Sequence, residues 1–149
     1  MSLTRSELRA WLRIINGIQS LLDALDGQLR TEAGISHDDY RILSALYRAP
    51  RRTRRMTELA AEMSYSPSRL SHTAARLEKQ GWVARSRVDD DRRGVEIGLT
   101  EEGVTKTRDA SVGHLALVER LVFDIPERDQ LRATVEVLDR IGKASAGPG

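Results

Sequence analysis

The sequence predicts a mainly α-helical chain with one small β-hairpin, an α+β arrangement. Apolar residues recur every three or four positions over long stretches near both ends of the chain, which is the period of an amphipathic helix. Two short runs within residues 83–99 alternate apolar and polar residues instead, as paired strands do. The chain has 149 residues and is 40% hydrophobic, so it can bury a core without disulfides or a structural metal.

The N-terminal helix is predicted to run from about Ser6 to Leu29. Leucine and isoleucine residues spaced by three and four give it a long apolar stripe. One small domain cannot cover so long a stripe, so we expect this helix to pack against a second copy of the chain. The stripe consists of Leu8, Leu12, Ile15, Ile18, Leu22, Leu25 and Leu29.

The C-terminal part repeats this pattern. A helix is predicted from Glu101 to Phe123, and a second one is predicted to start at Pro126 with Asp124 as its cap. These helices are expected to join the N-terminal helix in the same interface between chains. The apolar positions of the last helix are Leu131, Val135, Leu138 and Ile141.

Residues 56–80 are interpreted as two helices joined by a tight turn at Ser64 and Tyr65. The first helix has Thr57 as its predicted N-cap and one apolar face that packs into the core. That face consists of Met56, Leu59, Ala60 and Met63.

The second helix of this pair is predicted to begin after Ser66, which is a good N-cap, with Pro67 in the first helical position. Gly81 supplies the stop. Its inward positions are Leu70, Thr73, Ala74 and Leu77, and its outward positions are Ser68, Arg69, Ser71, His72, Ala75 and Arg76. The outward side chains are of the types that contact DNA.

Residues 83–87 and 95–99 are expected to pair as an antiparallel hairpin around a charged turn. Arg92 and Arg93 lie at its tip, where guanidinium groups can enter a narrow DNA minor groove. Asp91 is expected to hold the tip by charge-assisted hydrogen bonds to Arg93 or to backbone N–H groups. Two helices followed by an arginine-tipped hairpin is the order of a winged helix-turn-helix, whose second helix enters the major groove.

Positive charge is concentrated in one part of the chain. The formal net charge is +2, but residues 48–93 hold 12 Lys and Arg against 6 Asp and Glu, which leaves 12 against 16 elsewhere. Such segregation is typical of a nucleic-acid-binding face. An arginine cluster just before the two helices is interpreted either as a solvated, flexible loop or as a set of phosphate contacts. The cluster consists of Arg48, Arg51, Arg52, Arg54 and Arg55.

From Met56 to Gly103 the sequence resembles the MarR family of bacterial transcriptional regulators. The family's wing pattern, Asp-x-Arg-Gly followed by Leu-Thr-x-x-Gly, occurs here at 91–94 and 99–103. Leu-Ala-x-x-Met and Arg-Leu-Glu-x-x-Gly accompany it, and the flanking helices also fit, so the resemblance covers nearly the whole chain. The chain departs from the family at Ser64 and Tyr65, where the family often has Gly-Val.

The resemblance implies a sequence-specific regulator that binds double-stranded DNA. Of the possible kinds of regulator, it favours a repressor that acts as a homodimer on a palindromic operator. It implies a single domain, 1–149, in which residues 36–100 form the winged helix-turn-helix lobe. The dimerisation helices then lie in residues 1–35 and 101–146. A cytoplasmic protein is expected, since no apolar stretch approaches the roughly 18 residues of a membrane span.

Eleven residues are predicted to contact DNA. Arg69 or His72 is expected to recognise base edges, while Ser66 and Ser68 reach phosphates through hydroxyl or backbone N–H groups. The full set is Arg54, Arg55, Ser66, Ser68, Arg69, Ser71, His72, Arg76, Asp91, Arg92 and Arg93.

The resemblance also implies a small aromatic or lipophilic effector, bound where the dimerisation helices meet the winged-helix lobe. Trp11, Tyr40 and Tyr47 are the aromatic candidates for contacting it. The alternative interpretation is that all three are ordinary core and interface anchors.

Other functions have little support in the sequence. It contains no cofactor fingerprint, nucleophile motif or phosphate-binding loop. We therefore expect that the chain binds no cofactor and is not an enzyme. The chain has no cysteine, which excludes a thiolate zinc site. Three histidines lack ligand spacing: His37 follows the predicted cap Ser36, His72 is expected to face DNA, and His114 is expected to pack between helices. A winged-helix module that binds proteins is the alternative, and the arginine-rich wing argues against it.

Overall fold

Six α-helices and three short β-strands account for most of the residues that the computed structural model describes, 2–88 and 94–146. The predicted mainly helical class with one hairpin is confirmed. The chain divides into two units, 1–114 and 115–149. The helices are α1 (Arg5–Ala33), α2 (His37–Arg48), α3 (Met56–Met63), α4 (Pro67–Lys79), α5 (Glu101–Val118) and α6 (Arg128–Ser145), and the strands are β1 (Thr53–Arg55), β2 (Val83–Arg87) and β3 (Val95–Leu99).

The N-terminal helix α1 is capped at both ends. Thr4 Oγ1 accepts a hydrogen bond from the Glu7 backbone N–H at 3.2 Å, and the Glu7 carboxylate accepts one from the Thr4 backbone N–H at 2.7 Å. This is a capping box. Gly34 ends the helix in the left-handed region, with φ of 66°. The helix therefore extends about one turn beyond the predicted end at Leu29.

The core of the first unit consists of apolar side chains from α1, α2, α3, α4 and the sheet. All four inward positions predicted for α4 are buried, as are three of the four predicted for α3, while Met56 is half-buried. Leu25 and Leu29, at the C-terminal end of the α1 stripe, are also buried. The largest fully buried side chains are Leu29, Ile42, Leu43, Leu46, Leu59, Leu70, Leu77, Val83 and Ile97.

The three strands form an antiparallel sheet in the order β1, β3, β2. The predicted hairpin is confirmed, with Arg87 opposite Val95 at the end next to the turn. Strand β1 was not predicted, because three residues are too few for an alternating pattern. In β1, Thr53 lies opposite Gly98 and Arg55 lies opposite Glu96, so the strand runs toward the turn of the hairpin.

Two predicted helix caps are wrong. Helix α3 begins at Met56, two residues before the start that a Thr57 cap would require. Its N-cap is Arg55, whose extended backbone is set by the pairing of β1 with β3. Because that pairing involves distant parts of the chain, the local sequence does not reveal it.

The second error concerns α6, for which Asp124 was the predicted cap. A π-helical turn, Glu119–Phe123, follows α5, and α6 begins only at Arg128. The N-cap is Glu127, whose backbone N–H donates to the side-chain oxygen of Gln130 at 3.0 Å.

The first turn of α5 approaches the backbone before β2 very closely. Thr100 Oγ1 donates to the Gly81 carbonyl oxygen at 2.6 Å and accepts from the Gly103 backbone N–H at 3.0 Å. A Cβ atom on Gly103 would overlap the carbonyl group of Trp82. The glycine of the Leu-Thr-x-x-Gly motif therefore allows this contact between backbones.

We expect Gly103→Ala to destabilise the chain by about 1–3 kcal/mol, because backbone must move to admit the new methyl group. Gly27→Ala is the matched control, since nothing lies within 4 Å of a Cβ at that helical position. The control should stabilise by about 0.5–1 kcal/mol through reduced backbone freedom in the unfolded chain. Urea denaturation of both variants measures the difference, and equal stability of the two would contradict the close approach.

Candidate nucleic-acid interface

The exposed face of α4 carries the side chains that the sequence assigned to DNA. The N-cap Ser66 accepts a hydrogen bond from the Arg69 backbone N–H at 3.2 Å, and its hydroxyl lies 3.3 Å from that of Ser68. Pro67 occupies the first helical position, as predicted. The exposed side chains along this face are Ser68, Arg69, Ser71, His72, Ala75 and Arg76.

Arg69 already has two partners within the chain. Its Nη2 atom lies 3.0 Å from the Asp38 carboxylate at the start of α2, and its guanidinium lies 3.8 Å from the ring centroid of Tyr65. Cation–π stacking accounts for the tyrosine in the turn before α4. Ser64 precedes it with φ of 56°, a left-handed conformation in which glycine is the residue without strain.

Arg76 makes the strongest ion pair of this region. Its Nη1 and Nη2 atoms donate to the two carboxylate oxygens of Asp39 at 2.8 and 2.7 Å, a bidentate arrangement. The Asp39 side chain is buried, with the residue 4% exposed, whereas Arg76 remains half in solvent. These hydrogen bonds raise the pKa of Arg76 above its ordinary value. This geometry indicates that Arg76 positions α4 instead of contacting a base.

A second ion pair in the last turn of α4 joins the helix to β2. The Glu78 carboxylate accepts hydrogen bonds from the Arg85 backbone N–H at 3.0 Å and from Arg85 Nη2 at 2.9 Å. The backbone hydrogen bond is the main reason that the pKa of Glu78 is lowered. Helix α4 is therefore fixed to α2 near its start and to strand β2 near its end. Sequence reasoning missed the acidic partners Asp38, Asp39 and Glu78, although Glu78 belongs to the Arg-Leu-Glu motif.

The arginine cluster before α3 is not one irregular loop, since it spans the end of α2, a short turn and strand β1. Arg54 forms an ion pair with Glu62 of α3 at 3.3 Å, and Arg55 is the end of β1. Arg51 and Arg52 both have positive φ, in a 3₁₀ turn that leads into the strand. Because β1 runs toward the hairpin turn, Arg55 lies nearer to the wing tip than Arg51 does.

The predicted wing-tip residues Asp91, Arg92 and Arg93 lie outside the described residues. Just before them, the Val88 backbone N–H donates to the Gly94 carbonyl oxygen at 3.2 Å. Arg87, the last residue of β2, is exposed and opposite Val95. It was not among the predicted DNA contacts, although the alternation of Val83, Arg85 and Arg87 could have indicated it.

The three aromatic candidates for effector contact differ in burial. Tyr40 is buried in the core, while Trp11 is 51% exposed on α1 and Tyr47 is 38% exposed on α2. A cavity of about 510 Å³ lies between α1, α2 and α4, and none of the three lines it. Its walls are mostly polar and charged: Leu22, Asp23, Asp26, Arg30, Ser36, His37, Asp38, Arg41, Thr73 and Arg76.

Within residues 2–88 and 94–146, no helix is both long and apolar enough to cross a membrane. The same residues contain no group of three or more carboxylate or imidazole side chains arranged to hold a metal ion. The charged groups of the interface instead pair with one another, as described above. Their arrangement can position a helix and present hydrogen-bond donors and positive charge.

Known proteins match the chain over most of its length. A family model described as the MarR family matches residues 33–94. Sco3205, a MarR family transcriptional regulator from Streptomyces coelicolor crystallised in complex with DNA, is 39% identical, and the match covers 97% of this chain and 91% of that one with a TM-score of 0.94. AbsC, a MarR family transcriptional regulator from the same organism, is 31% identical with 99% of each chain covered and a TM-score of 0.95.

The transcriptional repressor MdtR from Bacillus subtilis is 32% identical over 79 residues, which are 53% of this chain and 51% of MdtR. The chain therefore spans about half the length of this curated relative. The matches to Sco3205 and AbsC, in contrast, include the helices on both sides of the winged-helix lobe. On the strength of these matches, the chain belongs to the MarR family of transcriptional regulators.

Proposed function

We propose that this regulator binds double-stranded DNA sequence-specifically and represses transcription as a homodimer on a palindromic operator. The observation that carries the proposal is the exposed polar face of α4, which ion pairs hold through Arg69 in its first turn and through Arg76 and Glu78 in its last. Recognition of base edges requires a helix whose side chains are held within about half an ångström of their working positions. A regulator of this kind acts in the cytoplasm, where the DNA is.

The relatives support this proposal. Sco3205 was crystallised in complex with DNA, and MdtR is a transcriptional repressor. The alternative, a winged-helix module that binds only proteins, is not favoured, because it gives no reason for a basic hairpin beside a polar helix face. The exposed Arg87 would contribute positive charge toward phosphates, whereas the charge of Arg54 is partly offset by Glu62.

We assign different tasks to the side chains of α4. Ser71 and His72 are exposed in its first half and can reach base edges, while Ser66 and Ser68 lie at its N-terminus, where backbone N–H groups favour phosphate. A DNA contact by Arg69 would compete with its hydrogen bond to Asp38 and its stacking on Tyr65. Arg76 serves as an anchor through Asp39, which revises its predicted role as a DNA contact.

The hairpin completes the proposed interface. Arg92 and Arg93 at its tip are proposed to enter the minor groove, with Asp91 ordering the tip. Arg87, on the adjoining strand, is proposed to contact a phosphate at the groove edge. The Arg87 contact contributes affinity and register rather than base preference, since phosphate contacts carry no sequence information.

Unpartnered apolar faces support the homodimer. In α1, Leu12 is 48% and Ile15 is 39% exposed, although both continue the stripe that is buried at Leu25. The second unit exposes its own stripe, which includes Leu138 and Ile141 of α6. A two-fold dimer that covers such faces presents two copies of α4 to successive major grooves, so the operator should be an inverted repeat.

We also propose that an effector, where one acts, binds in the cavity between α1, α2 and α4. Recognition-helix residues Thr73 and Arg76 line this cavity together with α1 and α2 residues, so a bound molecule would touch the groups that fix α4. The charged walls favour a polar molecule over the lipophilic one that the resemblance implied. Trp11, Tyr40 and Tyr47 are better explained as packing residues.

A selection of genomic fragments by the purified full-length protein, followed by sequencing, tests the function. We expect an enriched inverted repeat whose half-sites lie about one helical turn, roughly 10 base pairs, apart. The absence of any enriched sequence would refute sequence-specific recognition. Enrichment of single, unrepeated half-sites would refute the dimeric mode.

Substitution of the exposed histidine tests base recognition by α4. We expect His72→Ala to cost about 1–3 kcal/mol of binding and to relax the preference at one position of each half-site. Affinities for operator duplexes that differ at one base pair each give the measurement. An equal loss of affinity for every sequence would instead make His72 a phosphate contact.

Substitution on the wing tests the phosphate contact. Arg87→Ala should weaken binding to all sequences equally and lower the slope of log affinity against log salt by about 1. Arg132→Ala is the control, because it removes the same charge from an exposed position of α6. Binding isotherms over a salt series distinguish the two variants, and identical slopes would exclude Arg87 from the interface.

The α1 stripe provides a test of the dimer. Ile15→Glu places a carboxylate in the centre of the exposed stripe and should give a monomer, because burial of an unpaired charge is costly. Ser20→Glu, on the opposite side of the helix, should leave the dimer intact. Sedimentation velocity at micromolar concentration measures both. A wild-type chain that sediments as a monomer yet binds a palindrome tightly would contradict the proposal.

A further inference from the structure

Three aromatic rings meet where α5 packs near the start of α2. His114 of α5 is 7% exposed, and its ring centroid lies 4.3 Å from that of Tyr40 and 5.7 Å from that of His37. Among the described residues, no hydrogen-bond partner reaches the buried Nδ1 atom of His114. The predicted packing of His114 and the predicted position of His37 in the first turn of a helix are both confirmed. This group of rings is called the histidine pair below, after His37 and His114.

The surroundings of His37 disfavour its protonated form. Burial is the main cause that lowers the pKa of His37, and the nearby guanidinium of Arg41 lowers it further. The carboxylates of Asp38 on α2 and Asp26 on α1 act in the opposite direction but do not outweigh these effects. His37 is also the first residue of α2, where the helix dipole opposes a positive charge.

The surroundings of His114 act in the same direction. Burial lowers the pKa of His114, and the neighbouring His37 lowers it again, because two positive rings this close would repel each other. On α2 the ring faces Tyr40, which carries no charge at neutral pH. On α1 the carboxylate of Glu32 lies beside the adjacent Gly113. Both rings of the pair therefore favour the neutral form.

The histidine pair is linked to the recognition helix through one helical turn. The backbone N–H of His37 donates to the Asp26 carboxylate at 2.8 Å, which joins α2 to α1. The next two residues, Asp38 and Asp39, supply the ion pairs to Arg69 and Arg76 of α4. A change in the first turn of α2 therefore acts directly on the groups that position α4.

We propose that the histidine pair is an acid-sensitive switch: protonation of these rings loosens the first turn of α2 and weakens its hold on the recognition helix. The loosening of α2 does not depend on the proposed function. The consequence for DNA affinity rests on the proposed function.

The direction of the effect follows from proton binding. A histidine whose pKa is lower in the folded chain than its ordinary value of about 6.5 binds fewer protons when folded. Its contribution to stability is complete above about pH 6.5 and is lost as the pH falls through the folded-state pKa. Unperturbed carboxylates titrate about two units lower, so the interval from about pH 7.5 to about pH 5.5 isolates the histidines.

Thermal unfolding of the full-length protein without DNA tests the switch. Between about pH 7.5 and about pH 5.5, the wild-type Tm should fall on the order of 3 °C more than that of His37→Gln or His114→Phe. Phenylalanine keeps a ring beside Tyr40 that cannot take up a proton. His37→Gln leaves the buried ring of His114 in place. This variant therefore tests the switch even if His114→Phe does not fold.

The third histidine provides the matched control. His72 is exposed on α4, so His72→Gln should retain the wild-type dependence of Tm on pH. NMR titration should show the resonances of His37 and His114 changing below the ordinary histidine pKa of about 6.5. Titration of both members of the pair at or above about pH 6.5, or equal pH dependence of Tm in all variants, would overturn the switch.

The consequence for DNA is measured with an operator duplex recovered by the genomic selection. Wild-type affinity should fall at least about fivefold from about pH 7.5 to about pH 5.5, and His37→Gln should lose most of this dependence. Equal dependence in both proteins would overturn the link between the histidine pair and α4. Failure to bind at either pH, with the difference in Tm intact, would refute the proposed function and leave the switch in place.

Discussion

The ion pair between Asp39 and Arg76 fixes the last turn of the recognition helix α4 against the start of α2. Asp39 is almost completely buried, and a buried carboxylate without a partner is strongly destabilising. The same residue belongs to the capping box of α2, since its backbone N–H donates to Ser36 Oγ at 3.0 Å. The start of α2 and the last turn of α4 are therefore coupled, because the Asp39 carboxylate that binds Arg76 also accepts a hydrogen bond from the Ser36 backbone N–H at 3.4 Å.

The second ion pair, between Glu78 and Arg85, extends this constraint to the sheet. It joins α4 to β2, which is the first strand of the hairpin. Two ion pairs, one with α2 and one with β2, therefore hold the exposed face of α4 in a fixed position relative to the hairpin. Such a framework suits a surface that must match a rigid double helix, because little conformational freedom remains to be lost on binding.

Periodicity was sufficient to predict the helix pair, its buried positions and the hairpin, because each is a local pattern within about 20 residues. The anchors of α4 were not predictable in this way. Asp39 and Arg76 are 37 positions apart, and Asp39 has the sequence context of an ordinary capping residue. Arg76 was predicted to contact DNA because its position on the helix is exposed. No local pattern could reveal that it pairs with the Asp39 carboxylate. Strand β1 was missed for the same reason, since its partner lies in β3.

The pairing of Arg69 and Arg76 with Asp38 and Asp39 has a kinetic consequence. Attraction to DNA of any sequence is largely electrostatic, and these carboxylates neutralise the two arginines on the exposed face of α4. On the proposed function, the helix that recognises bases therefore adds little to the retention of the protein at wrong sites. Dissociation from random DNA becomes faster, and discrimination between sequences depends on short polar side chains instead of on bulk charge.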